Sequence, residues 1–122
     1  SSLEAMLNGA EEGFAQMLLR KIDEKGLTDV ACYKRANVDR RLFNKIKNNP
    51  EYRPGKQTAL AFAIALELSL EETKEMLMKA GFALSHSNKA DIVVEYCIMN
   101  GQYDIMEINQ VLFQLDLPPL GY

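Results

Sequence analysis

Six Lys or Arg side chains fall within the twenty residues VACYKRANVDRRLFNKIKNN, positions 30–49, of a 122-residue chain whose formal net charge is −3. They are Lys34, Arg35, Arg40, Arg41, Lys45 and Lys47, with Asn44 among them. Arg and Lys present donors that match the acceptor edge of guanine, and the amide of Asn matches adenine. The same cations pair with phosphate without regard to sequence. This is the equipment of a nucleic-acid surface, and a solvated helix face is the plain alternative. The charge is also sorted along the chain. Residues 20–56 hold eleven Lys or Arg against five Asp or Glu, whereas the flanks hold three against twelve.

Other chemistry is poorly supplied. His86 stands alone, with no Cys or His at ligand spacing, so no metal site is expected. No Gly-rich phosphate loop, nucleophile elbow or HExxH pattern occurs, and the carboxylates are spread along helix faces. The expectation is a protein that is not an enzyme and needs no cofactor. Cys32 and Cys97 both sit in helical apolar patterns, which suits reduced, buried thiols in a cytoplasmic protein. The apolar run after residue 58 is broken by Glu67, Glu71 and Glu72 well before bilayer length, so no membrane partner is expected.

The elements that must position the basic residues all read as helices, giving an all-α chain with no alternating strand pattern. Phe14, Leu18 and Ile22 recur every four residues within a first helix over 11–25, and Gly26 closes it. Thr28 or Asp29 caps a second helix, which Asn37 interrupts, and Asp39 caps a third that turns Phe43 and Ile46 inward. The loop NNPEYRPG precedes KQTALAFAIALELS, apolar on every face and therefore the expected central helix. Ser69 and Glu72 form a capping-box pattern for a fifth helix ending at Gly81.

Two more helices are predicted over 89–99 and 104–115. In the second, Ile105, Ile108, Leu112 and Leu115 make a stripe that packs on the same domain or, alternatively, forms a homodimer seam. The prolines of LDLPPLGY end the chain as a strap over the core, and Tyr52, Tyr96, Tyr103 and Tyr122 read as packing or capping aromatics. Residues 1–10 are expected to be a flexible leader, 11–81 the basic domain, and 82–122 a helical extension packed on it. A start without Met suits a processed chain or a piece of a larger protein.

Taken together, LTDVACYKRANVDRRLFNKIKNN and YRPGKQTALAFAIALELSLEETKEML resemble the helix-turn-helix of the Cro and lambda-repressor (Xre-like) family. The resemblance covers about 14–80. It places Leu27-Thr28 at the opening of the second helix, Asn37-Val38 in the turn and Asp39 at the cap of the third. Arg53-Pro54, the Leu/Ala-rich helix and Ser69-Leu70-Glu71-Glu72 match the later part of the pattern. It implies a five-helix lambda-repressor-like fold with two additional C-terminal helices, and a DNA-binding transcriptional regulator whose third helix enters the major groove of double-stranded DNA. Arg40, Arg41, Asn44 and Lys45 are then the base contacts, and Lys34, Arg35, Lys47, Arg53 and Lys56 the phosphate contacts.

The chain departs from the family at Asp29, where a Gln is usual, at Asp39, where Ser or Thr is usual, and at Tyr33, where Ala is usual. Leu42, exposed in the family, is apolar here and lies beside arginines, which suits a protein contact. That supports an alternative: a protein-interaction or regulatory module on the same scaffold, belonging with a neighbouring domain. The run AGFALSHSNKADIVVEYCIMNGQYDIMEINQVLF also looks like a C-terminal module of larger bacterial proteins such as some macro-domain proteins.

Overall fold

Capping residues, glycines and prolines divide the chain into eight helices in the computed structural model, which describes residues 1–121. No strand occurs among the described residues. The helices are α1 (Ser2–Asn8), α2 (Phe14–Glu24), α3 (Asp29–Arg35), α4 (Arg40–Asn48), α5 (Lys56–Ala65), α6 (Leu70–Lys79), α7 (Lys89–Met99) and α8 (Ile105–Gln114). None of them is long and apolar enough to cross a membrane.

Within the expected leader, Ser2–Asn8 are helical. Ser1 Oγ accepts from the Glu4 backbone N–H at 3.2 Å while the Glu4 side chain reaches back, so a capping box starts α1 without help from the core. None of its residues is buried.

The body is built around α5, in which every residue from Thr58 to Ala65 is buried. It packs against α3, α6 and α8, while α2 packs on α4 and α6. A helix whose small Ala side chains face all neighbours can be surrounded closely, which explains why it lacks a polar face. Phe14, Phe43 and Phe62 meet at its centre, with ring centroids 6.3 Å apart for Phe14–Phe62 and 6.1 Å for Phe43–Phe62. Each ring contributes a large apolar area and the tilted arrangement suits their quadrupoles. Phe43 and Ile46 are 1% and 0% exposed, which roots α4 in this cluster.

The tail joins the same core. Ile105, Ile108 and Leu112 are buried and α8 packs on α5 and α7, so three of the four stripe residues are consumed within the chain. Of the four, Leu115 alone stays exposed. Tyr103 Oη donates to the Leu68 carbonyl at 2.8 Å, tying the α7–α8 turn to the α5–α6 turn. Tyr52 is half-buried, whereas Tyr96 is largely exposed and packs no core; Tyr122 lies outside the described residues.

Candidate nucleic-acid interface

Local chemistry builds α3, its turn and α4 from the chain outward. Gly26 takes φ +67°, a conformation free of Cβ strain only for glycine, and its turn releases α2 into Leu27. Thr28 Oγ1 then accepts from the Ala31 N–H at 3.0 Å to start α3. Asn37 adopts φ +57°, and Val38 N–H donates to the Tyr33 carbonyl at 2.9 Å, closing α3. Asp39 Oδ1 accepts from the Leu42 N–H at 2.7 Å and starts α4. Its acidity is therefore spent on the positive end of α4.

The structure brings Arg40, Arg41 and Asn44 together around an open depression that Asp39 completes. All three and Lys45 are exposed, and none has an ion-pair partner among the described residues. Lys45 Nζ lies 5.1 Å from the centre of the Tyr52 ring, a cation–π contact that steadies the end of a long side chain. Opposite this polar face, Phe43 and Ile46 are buried, so α4 is held by one side and displayed by the other.

The flanking cations are distributed unequally. Arg53 is exposed, with its guanidinium beside Gly81. Lys34 and Arg35 are exposed but border a separate groove of about 500 Å³ together with Asn37, Glu67, Tyr103 and Asp104. Lys47 Nζ donates to Asp29 Oδ2 at 2.8 Å, which neutralises the Asp29 carboxylate and ties α4 to the start of α3. At that surface position the pair is weak enough to exchange partners.

Lys56 is placed differently from the sequence expectation. Its Nζ lies 2.5 Å from Asp91 Oδ2, on a carboxylate only 2% exposed, which also accepts from the Ser85 N–H at 2.9 Å. Lys56 thus compensates a buried acid of α7 and is not displayed to a phosphate. The distance in sequence between positions 56 and 91 hid this pairing.

Leu42 is half-buried, one side packed against the core. Tyr33, bulky where a small residue was expected, packs on Phe43 with centroids 5.4 Å apart, so it fills the space between α3 and α4. Asn48 is also exposed, one helical turn beyond Asn44. Its spacing of four from Asn44 puts the two on one face. The two thiols are buried, and burial pushes Cys32 up to about 12 and also raises Cys97. Neither supplies a thiolate near neutrality. Among the described residues there is no cluster of His, Cys, Asp or Glu able to hold a metal.

No family model matches the chain, and no curated protein or solved structure matches it either.

Proposed function

We propose that α2–α6 are a lambda-repressor-like helix-turn-helix, and that the chain binds double-stranded DNA as a transcriptional regulator does, with α4 in the major groove. The observation that carries this reading is the outward face of α4. Arg40, Arg41, Asn44 and Lys45 are exposed and free of acidic partners among the described residues, on a helix anchored by Phe43 and Ile46. Unpaired guanidinium groups on a rigid rod can reach base edges without first breaking an ion pair. Lys34, Arg35 and Arg53 act as phosphate contacts, and Lys47 joins them when it leaves Asp29. Lys56 takes no part.

Three to four phosphate contacts give log affinity against log salt a slope of about −3 to −4, at roughly 0.9 per contact. Selection from a random duplex pool at near-physiological salt tests the reading. Enrichment of a site whose binding vanishes in Arg40→Ala/Arg41→Ala, with melting unchanged, supports it. Absence of enrichment, or binding that survives the double substitution, refutes it.

A second reading, a protein-interaction or regulatory module working with a neighbouring domain, draws on a different surface. Tyr96 and Met99 on α7 and Phe113 on α8 are exposed large side chains that no part of the described chain covers. A chain that selects no duplex would be pursued through that surface.

A further inference from the structure

After α8 the chain turns through Asp116, at φ +58°, and runs back past two prolines toward the turn between α3 and α4. Leu120 is 1% exposed, and its peptide groups are held from two sides. Its N–H donates to Asn109 Oδ1 at 2.8 Å, and its carbonyl accepts from Asn109 Nδ2 at 3.1 Å and from Asn37 Nδ2 at 3.3 Å. The Gly121 N–H donates to the Gln57 carbonyl at 3.3 Å. Residues 120–121 therefore join α8, the first turn of α5 and the residue whose left-handed conformation makes the α3–α4 turn.

Gly121 also touches that turn too closely for any other residue. It takes φ +106°, and a Cβ there would press on the Asn37 carbonyl and sit 2.9 Å from the Ala36 carbonyl. Both are backbone atoms, which cannot swing away as a side chain does. Any added bulk must displace the strap or move the turn, and the turn sets the direction in which α4 leaves α3.

We infer that residues 120 and 121 position α4: the strap is a latch that sets the α3–α4 turn, with Asn37, Asn109 and Gly121 as positioning residues for base reading. The inference rests on the proposed DNA reading, because that is the activity the latch would serve. A cover for the core is the simpler role, and the two differ in what they change. A cover alters global stability alone, whereas a latch alters the pose of α4 in a protein that remains folded. Base edges demand closer placement than phosphates do, so a shifted α4 loses discrimination before it loses general attraction.

Gly121→Ala perturbs the latch by adding bulk and Asn109→Ala by removing its grip, and both are compared with the unaltered chain well below the melting transition. The first measurement is amide hydrogen exchange, which needs no DNA. Both variants should exchange faster at Val38, Leu42 and Phe43, with the α7 amides unchanged. The second is the ratio of affinities for the selected duplex and an unrelated one, which should fall about tenfold, the scale of one lost base contact.

Unchanged exchange at the turn overturns the inference, as does faster exchange with an unchanged affinity ratio. An unaltered chain that selects no duplex overturns the DNA reading itself. The exchange data then decide separately whether the strap holds the turn.

Discussion

Replacing Lys56 by Ala separates a structural cation from the cations of the proposed interface. The substitution strands Asp91, a carboxylate 2% exposed that still accepts from the Ser85 N–H at 2.9 Å. Breaking a buried pair from one side costs about 3–5 kcal/mol. Lys56 keeps 20% of its side chain exposed and Asp91 lies in the first turn of α7, where the helix end favours a negative charge. Both features put the loss at the lower end, about 3 kcal/mol. With an unfolding entropy of about 2.1 cal/mol/K per residue, that lowers the melting temperature by about 12 °C.

The assay is urea denaturation, read as a lower midpoint at constant slope, beside the salt dependence of the proposed duplex binding. The Lys56→Met/Asp91→Asn pair should recover much of the loss, because no buried charge remains and the Asn oxygen still accepts from Ser85. A Lys56→Ala protein of unchanged stability, or one whose salt slope becomes shallower by about one phosphate, would refute the assignment of Lys56 to the core.

Phe43→Ala should destabilise by about 3–5 kcal/mol, since a fully buried ring leaves a cavity between Tyr33 and Phe62. Chemical denaturation measures it, and a loss below about 1 kcal/mol would mean that α4 is not anchored by this ring. Acid sensitivity follows from Glu72, held down at about 2 by the Lys21 ammonium 2.6 Å away and by the Ser69 N–H. A carboxyl depressed in the folded state stabilises above its ordinary value of 4.5, and that contribution disappears as pH falls toward 2. Unfolding midpoints of the unaltered chain and Glu72→Gln should therefore differ most above pH 4.5 and converge in acid. A constant difference across that range would contradict the assignment.

The helices were legible because their signals are local. Gly26 after α2, Asp39 before α4 and the Ser69–Glu72 box before α6 satisfy backbone groups within a few residues, whatever the chain does elsewhere. The inward side of α4 was legible for a related reason, since Phe43 and Ile46 share a face by helical period alone. The exception is α1: its capping box Ser1–Glu4 is as local a signal as the others and Leu3, Met6 and Leu7 recur at helical spacing, but the stretch has no buried residue that ties it to the core.

What the chain's order of residues determined was thus the set of helices, their caps and the gathering of cations near α4. Which of those cations are displayed was decided only in three dimensions. Lys56 and Asp91 are 35 positions apart and Lys47 and Asp29 are 18, so no period or cap relates them until packing brings the helices together. The hold of Gly121 on Asn37 is of the same kind. A short-range signal depends on neighbours in the chain, whereas a charge pair or a backbone contact depends on distance in space, and that distance is set by how apolar faces around α5 close on one another.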